Sequence, residues 1–198
     1  MRKPPLILAS TSPYRRELLG RLQWPFEVVA PGIDEAPLPD ERPAQTALRL
    51  AEAKARAVAA SLHEGLVIGS DQVADCDGVA IGKPRDAAHA VRMLSGLSGR
   101  VIVFHTGVAL ANAATGAVQR ECVDASSTFR VLSAREIEAY LQRDQPYDCA
   151  GAVKAEALGI ALFERIESAD PTALIGLPLI ALARMLRAEG LDVLASPT

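Results

Sequence analysis

Short apolar runs alternate along the chain with longer segments of helical periodicity. Residues 6–9 and 66–68 are continuous apolar runs, which is the pattern of strands buried on both faces. Residues 26–30 are a further candidate strand, and two long strands over 101–111 and 117–131 form a predicted hairpin. Because helical segments separate these strands, we expect an α/β fold.

The clearest helical signals occur at residues 44–62, 86–97, 133–143 and 178–188. In the first of these segments, one buried stripe is predicted from Leu48, Ala51, Ala55, Val58 and Leu62. Ser133 and Glu136 have the spacing of a capping box, and Gly190 fits the end of the last helix. Residues 159–166 are predicted to form another strand.

The first apolar run leads into a segment that combines the signals of a helix start with phosphate-binding chemistry. Ser12 is a good N-cap, and Pro13 fits the first helical position. Arg15 and Arg16 lie in the first turn, where the helix dipole disfavours cations. Free N–H groups, hydroxyls such as that of Ser10 and two guanidiniums can hold phosphate. The alternative is a surface helix with solvated arginines.

Two acidic residues are candidates for metal binding. Asp71 follows the apolar run 66–68, and ligands of open α/β sheets bind beyond the carboxyl ends of strands. It can act as a metal ligand or as the base for an attacking water, or else as a turn residue or helix cap. Glu35 lies in the acidic, proline-rich loop 31–43, either as a ligand of a hard cation or as a solvated side chain.

Two lysines are candidates for phosphate binding. Lys54 borders the apolar stripe of helix 44–62, so it either snorkels to water or points into a cleft. Lys83 follows a predicted hairpin turn at 75–78, which returns the chain toward Asp71. The segment around Lys83 fails the Walker A pattern, because it has one residue too few between its glycines and Pro84 in place of Ser or Thr.

Composition argues against several classes of function. The 198-residue chain has a net charge of −3, which gives no global attraction to nucleic acid or to anionic membranes. No apolar run approaches the roughly 18 residues of a membrane span, and the start of the chain does not resemble a signal peptide. Cys76, Cys122 and Cys149 lack metal-type pairing, which predicts reduced thiols and a cytoplasmic location.

The candidate residues together suit the hydrolysis of a phosphoanhydride. Cations neutralise phosphate charge, while carboxylates hold a divalent metal and activate water. The signals of acyl transfer and of a dinucleotide-binding turn are missing from the sequence.

A set of motifs resembles the Maf family of nucleotide pyrophosphatases. In chain order they are ASTSPYRRELL at 9–19, DE at 34–35, EAK at 52–54, GSDQV at 69–73, GKP at 82–84, AGAVKAE at 150–156 and GLP at 176–178. Each motif is weak alone, but their order and spacing over nearly the whole chain are specific. The resemblance implies an elongated α/β fold with a mixed sheet, flanking helices and a central cleft, as in inosine-triphosphate pyrophosphatases.

The resemblance also implies roles for individual residues. Asp71 is expected to be the catalytic base, and Asp71 and Glu35 are expected to hold a divalent metal cation, Mg or Mn. The expected triphosphate-binding residues are Ser10, Arg15, Lys54 and Lys83. Residues 1–198 are expected to form a single domain of two lobes around the cleft. A homodimer is left open.

Three positions resemble the branch of the family that acts on 7-methyl-GTP. Branches acting on dTTP and UTP typically have Arg, Thr and Gln where this chain has Tyr14, Gln72 and Glu156. The Tyr14 ring can stack on a cationic methylated purine, and the Glu156 carboxylate can accept hydrogen bonds from guanine. That branch more often has Trp where Tyr14 stands, and Phe and Ser where Val153 and Ala155 stand.

Two alternatives remain open from the sequence. One is the same reaction on dTTP, UTP or another nucleotide. The other is a nucleotide-binding regulator of cell division that does not turn its ligand over, although the presence of Asp71, Lys54 and Lys83 argues for an enzyme.

Overall fold

A computed structural model describes residues 4–195 of the chain. Its strands are β1 (Leu6–Ala9), β2 (Glu27–Val29), β3 (Leu66–Cys76), β4 (Val79–Ile81), β5 (Val101–Asn112), β6 (Val118–Phe129) and β7 (Phe163–Ser168). Its α-helices are α1 (Pro13–Gly20), α2 (Pro43–Ala59), α3 (Ala87–Leu97), α4 (Ala134–Asp144) and α5 (Leu179–Ala188). Within the described residues no helix has the length and apolarity needed to cross a membrane.

The strands form one mixed sheet of seven strands within residues 4–195, in the order β2-β1-β3-β5-β6-β7 with β4 beside β3. Strand β1 pairs in parallel with β2 and β3, and the other pairings are antiparallel. This architecture confirms the predicted α/β fold with a mixed sheet flanked by helices. The long hairpin of β5 and β6 is also confirmed, with strand bounds within two residues of those predicted.

Strand β1 is buried on both faces, as its apolar run predicted. Leu6 and Leu8 pack with α1 and α5 on one face of the sheet, while Ile7 and Ala9 pack against α2 on the other. A separate apolar cluster lies at the far ends of β3 and β5, where α3 and α4 cover the sheet. The long central strands therefore connect two differently covered regions of the sheet.

Along one edge of β3, the pairing is interrupted between the partner strands β1 and β4. Strand β1 pairs with Leu66, Val67 and Ile68, whereas β4 pairs with Ala74, Asp75 and Cys76. Residues 69–73 pair only with β5 among the described strands. The strand therefore continues past residue 68, and the prediction that Asp71 follows its end was wrong. Pairing with β5 overrides the low strand propensity of this polar segment, and Asp71 lies instead beyond the carboxyl end of β1.

Helix α2 lies unusually close to the sheet, over two glycines. A Cβ atom added at Gly69 would lie 2.1 Å from the Ala51 carbonyl oxygen, and one at Gly107 would lie 2.3 Å from that of Ala47. Only glycine therefore allows α2 to approach β3 and β5 to this distance. This contact fixes the height of α2 above Asp71 and thereby the reach of its polar side chains.

The buried face of α2 differs from the predicted stripe. Ala51, Ala55 and Val58 are buried as predicted, but Leu48 is only half-buried and Leu62 lies beyond the helix end. The buried positions include Thr46, Ala47, Leu50 and Lys54 instead. The difference arises because small residues face the glycines of the sheet, and polar residues face a cavity rather than solvent.

Other local predictions have mixed outcomes. The hairpin turn is confirmed, with Asp77 and Gly78 both at positive φ. The capping box of Ser133 and Glu136 is also confirmed. The strand predicted at 159–166 begins only at Phe163, because residues 158–162 form a 3₁₀ turn and the pairing with β6 starts at Phe163 after a register shift.

Candidate active site

Two adjoining cavities lie at the interrupted edge of β3. The larger has a volume of about 790 Å³ and the smaller about 140 Å³. Both are lined by the same boundary residues, which are Ser12, Tyr14, Arg15, Gln72, Lys83, Asp148 and Ala150. One ligand can therefore occupy both cavities at once, with different chemical groups in each.

The structure brings together all of the site residues predicted from the sequence. The larger cavity is lined by Ser10, Glu35, Lys54 and Asp71. The boundary residues include Tyr14, Arg15, Gln72 and Lys83, and the smaller cavity is lined by Glu156. Arg16, in contrast, is exposed and belongs to neither lining.

A buried lysine bridges two carboxylates in the larger cavity. The Lys54 Nζ atom lies 2.6 Å from Oδ1 of Asp71 and 2.9 Å from Oε1 of Glu35. Lys54 is only 4% exposed and Asp71 only 8%. The snorkelling alternative for Lys54 was therefore wrong: its ammonium points into the cavity. With two carboxylates and one ammonium, the group carries excess negative charge that a bound cation can offset.

The start of α1 forms the adjoining wall. The Ser12 hydroxyl accepts a hydrogen bond from the Arg15 backbone N–H, which confirms the predicted N-cap. The Arg15 side chain donates from Nε to the carbonyl oxygen of Gly176, at 2.9 Å. Burial lowers the pKa of this guanidinium, although the Asp71 and Glu35 carboxylates act in the opposite direction. An arginine pKa starts so high that the group stays a cation near neutral pH.

Residues of β3 hold the loop that contains residues 173–176. The Gln72 side-chain amide Nε2 lies 2.9 Å from the carbonyl oxygen of Ala173 and 3.0 Å from that of Leu174. The buried Ser70 hydroxyl lies 2.9 Å from the Gly176 carbonyl oxygen and 2.7 Å from that of Gly107. Gln72 thus lines both cavities while its amide N–H groups are directed to the protein backbone. Its predicted role in nucleotide selection stays a prediction.

The smaller cavity combines an aromatic ring with carboxylates. The Tyr14 hydroxyl donates to Oδ2 of Asp148, at 3.2 Å. Burial, followed by the nearby Cys149 and Asp148, raises the pKa of Tyr14, so the phenol keeps its proton. Burial also raises the pKa of Glu156. This cavity therefore offers a flat ring and hydrogen-bond acceptors, which suit a nucleobase with N–H donors.

Comparison with known proteins identifies the family. Residues 5–189 match the family model described as "Maf-like protein". The chain belongs to the Maf family. The recognition of this family from ordered motifs is therefore confirmed.

Several similar Maf proteins are named "7-methyl-GTP pyrophosphatase". The chain is 59% identical to the protein of that name from Ralstonia nicotianae, over 93% of this chain and 95% of the relative. It is 56% identical to the one from Thiobacillus denitrificans, over 98% of this chain and 96% of the relative. It is 54% identical to the one from Methylobacillus flagellatus, over 96% of this chain and 100% of the relative.

The acidic loop 31–43, which contains Glu35, is held by an ion pair that was not predicted from the sequence. Glu41 binds Arg49 of α2 through both carboxylate oxygens, at 2.6 and 2.7 Å. The same Arg49 donates to the carbonyl oxygen of Ala36, at 3.1 Å. Hydrogen bonds from Arg49 are the main reason that the pKa of Glu41 is lowered to about 2. No sequence signal separates this pair from the other charges of the acidic loop.

A second residue that sequence reasoning missed secures the loop 173–176. Asp170 is 2% exposed, and its Oδ2 accepts a 2.7 Å hydrogen bond from the Ile180 N–H at the start of α5. Its Oδ1 accepts from the Thr172 hydroxyl, at 2.6 Å. The Asp-Pro-Thr sequence at 170–172 is a typical turn signal that pointed to such a role.

The two carboxylates predicted as metal ligands fit the chemistry of a hard divalent cation. Lys54 contacts one oxygen of Asp71 and one of Glu35, which leaves a second oxygen on each carboxylate. Carboxylate oxygens are the protein ligands that Mg²⁺ and Mn²⁺ prefer. The donor set of the larger cavity is therefore compatible with the divalent metal implied by the family resemblance.

A different group of side chains also has the types and spacing of metal ligands. His105, Cys122 and Asp124 offer ligand atoms within 4.8 Å of one another. The His105 ring is already held by Asp124, at 2.7 Å from Nδ1, and by Asp75, at 3.2 Å from Nε2. This group of His105, Cys122 and Asp124 lies outside the linings of the two cavities. This group therefore does not contribute ligands to the candidate active site.

Proposed function

We propose that this Maf protein is a nucleoside triphosphate pyrophosphatase that hydrolyses 7-methyl-GTP to 7-methyl-GMP and diphosphate. The observation that carries the proposal is the Asp71–Lys54–Glu35 group in a cavity that opens onto a base-sized second cavity. The name 7-methyl-GTP pyrophosphatase, carried by relatives at 54–59% identity, supports the same reaction and substrate. The motif-based prediction of a hydrolase of acid anhydrides agrees with these names.

Asp71 is the proposed base for the attacking water. Its carboxylate accepts a hydrogen bond from Lys54, and this contact fixes its orientation in the buried wall of the cavity. Asp71 and Glu35 would hold the divalent cation, Mg or Mn, which supplies Lewis acidity and neutralises phosphate charge when bound. Hydrolysis at phosphorus depends on orientation and charge neutralisation more than on covalent catalysis, so a carboxylate and cations suffice.

The cations at the boundary are proposed to bind the triphosphate. Arg15 and Lys83 line both cavities, and Ser10 lies beyond the end of β1 in the larger one. The N-terminal residues 12–15 of α1 and its cap line the larger cavity, so the positive end of the helix dipole lies at the same wall. The nucleotide would then place its phosphates in the larger cavity and its base in the smaller.

Tyr14 and Glu156 are proposed to recognise the base. A tyrosine ring attracts a cation placed over its face, and N7 methylation makes guanine cationic. The Glu156 carboxylate can accept hydrogen bonds from guanine N1–H and its exocyclic amine. Gln72 is proposed to contribute by holding the loop 173–176, which borders the same cavity.

We further propose the domain organisation, the cellular location and the partners that were expected from the sequence. The two apolar clusters at opposite ends of the long strands support a single domain of two lobes around the cavities. The three cysteines without metal-type pairing support a cytoplasmic location, and the net charge of −3 argues against nucleic acid and anionic membranes as partners. A homodimer is a further hypothesis that analytical ultracentrifugation would test.

The decisive experiment measures diphosphate release from 7-methyl-GTP, GTP, dTTP, UTP and CTP with magnesium or manganese. Strong preference for 7-methyl-GTP is the expected result. Preference for dTTP or UTP would keep the mechanism but overturn the assignment of the base cavity. No release from any nucleotide, together with measurable binding, would favour the regulatory alternative.

A further inference from the structure

Asp148 is a carboxylate of the site that the proposed mechanism leaves without a function. It lies in the connection between α4 and the turn at 150–152 and lines both cavities. Its Oδ2 accepts the hydrogen bond from the Tyr14 hydroxyl, at 3.2 Å. It therefore contacts the hydroxyl group of the side chain whose ring is proposed to stack on the base.

The surroundings of Asp148 keep its carboxylate charged. The Lys154 ammonium lies 3.7 Å from Oδ1, and the Cys149 thiol donates to the same oxygen at 3.5 Å. Burial works to raise the pKa of Asp148, but hydrogen bonds and Lys154 lower it overall. The Cys149 thiol keeps its proton, because burial and Asp148 raise its pKa to about 12. Asp148 thus presents a negative charge beside a neutral phenol.

The two cavities carry different charged residues, and each set suits a different part of a nucleotide. Arg15 and Lys83 stand at the boundary, where a triphosphate would neutralise them. Asp148 and Glu156 then remain as the acidic residues of the smaller cavity. A base in this cavity would meet two carboxylates against the single ammonium of Lys154, so a net negative charge remains beside it. Such a charge favours a cationic base over a neutral one of nearly the same shape.

We propose that Asp148 is a specificity-determining residue, whose charge selects an N7-methylated, cationic purine over the neutral purine. The inference rests on the proposed function, because it assigns the smaller cavity to the base. The Asp148 charge acts through space on the purine ring that stacks on Tyr14. Glu156 has the different task of accepting hydrogen bonds from the edge shared by both purines.

The test separates charge from the positioning of Tyr14. Asp148→Asn removes the charge but keeps the size of the side chain and an oxygen that accepts the Tyr14 hydroxyl. Tyr14→Phe removes that hydroxyl but keeps the ring and the carboxylate. Glu138→Gln removes a negative charge at an exposed position of α4, outside both cavity linings, and is the matched control.

Two readouts are compared for each variant. Isothermal titration calorimetry gives the ratio of affinities for 7-methyl-GMP and GMP, and steady-state kinetics gives the ratio of kcat/KM for 7-methyl-GTP and GTP. We expect Asp148→Asn to lower both ratios by about three- to fivefold, because the Asp148 carboxylate is exposed to solvent and paired with Lys154, which screens its charge. Tyr14→Phe lowers them less, and Glu138→Gln leaves them unchanged.

The outcomes distinguish this inference from the proposed reaction. Ratios that stay the same in Asp148→Asn, or fall equally in Asp148→Asn and Tyr14→Phe, would overturn the charge assignment. A wild-type protein that binds 7-methyl-GMP no better than GMP would also overturn it. Preferential binding that falls in Asp148→Asn, without any hydrolysis of 7-methyl-GTP, would support the inference while refuting the proposed enzyme activity.

Discussion

Lys54 donates a 2.6 Å hydrogen bond from Nζ to Oδ1 of Asp71, and both side chains are buried. A buried lysine is stable only when its charge is paired, and Glu35 completes the pairing at 2.9 Å. The contact therefore serves two purposes: it stabilises the charges of the cavity wall, and it orients the carboxylate that faces the proposed water.

Replacing Asp71 by Asn tests this assignment most directly. The amide keeps an oxygen that can accept the Lys54 hydrogen bond, so we expect normal folding by circular dichroism. It cannot accept a proton from water, so kcat for nucleotide hydrolysis should fall at least about a hundredfold, the usual scale for an acid–base group. Near-normal turnover by Asp71→Asn would contradict the assignment of Asp71 as base.

The sequence predicted the chemistry of the site better than its geometry. Ser12, Pro13 and the apolar runs define local elements whose causes lie within a few residues, and these predictions are confirmed. The burial of Lys54 depends instead on how closely α2 approaches Gly69 and Gly107, which are far from it in the chain. The hydrophobic periodicity of a helix does not give its distance from a sheet. The sequence therefore left two alternatives for Lys54, whose ammonium could either reach water or point into a cleft.

Long-range pairing explains the other differences between prediction and structure. Asp71 was predicted to follow a strand because the continuous apolar run ends at Ile68. Ten consecutive register positions with β5, from Leu66 to Asp75, hold this polar segment extended. Asp148 was missed for a similar reason, because its contact with Tyr14 joins positions 134 residues apart in the chain.

Gly69→Ala tests the close approach of α2. The added methyl group would meet the Ala51 carbonyl oxygen at 2.1 Å, so the helix must move away from β3. We expect a loss of about 3 kcal/mol or more in unfolding free energy, and lower activity because Lys54 moves with the helix. The measurements are urea denaturation and nucleotide hydrolysis.

Gly96→Ala is the matched control for this substitution. Gly96 lies in α3, and among the described residues no heavy atom lies within 4 Å of a Cβ added there. Alanine should therefore stabilise the protein by up to about 1 kcal/mol through helix propensity. Equal effects of the two alanine substitutions would show that the contact of α2 with β3 is not tight.

Asp170→Asn tests the support of the loop 173–176. The amide replaces one acceptor oxygen with a donor that would face the Ile180 N–H or the Thr172 hydroxyl and N–H. We expect the unfolding free energy to fall by about 2–4 kcal/mol, because a buried, charge-assisted hydrogen-bond network loses an acceptor. Asp192→Asn, at an exposed position, should change stability by less than about 0.5 kcal/mol. Comparable stability of the two variants would refute this role.

Glu156→Gln tests recognition of the guanine edge. The amide cannot accept both hydrogen bonds from guanine N1–H and its exocyclic amine, because one of its two terminal atoms is a donor. We expect kcat/KM for 7-methyl-GTP to fall by about tenfold relative to that for UTP, measured as diphosphate release with each nucleotide. An unchanged ratio would exclude Glu156 from the base cavity.

The Glu41–Arg49 ion pair predicts a pH dependence of stability. Hydrogen bonds from Arg49 lower the pKa of Glu41 from 4.5 to about 2, so the folded protein binds this proton less tightly than the unfolded chain does. The stabilisation is therefore fully present above about pH 4.5 and is lost as the pH falls toward 2. We expect Glu41→Gln to be less stable than wild type by about 2 kcal/mol at neutral pH, with the difference shrinking at acidic pH. Urea unfolding of both proteins across this range measures the effect, with Glu138→Gln as the exposed control. A difference that does not vary with pH would mean that Glu41 stabilises the loop by packing rather than by its charge.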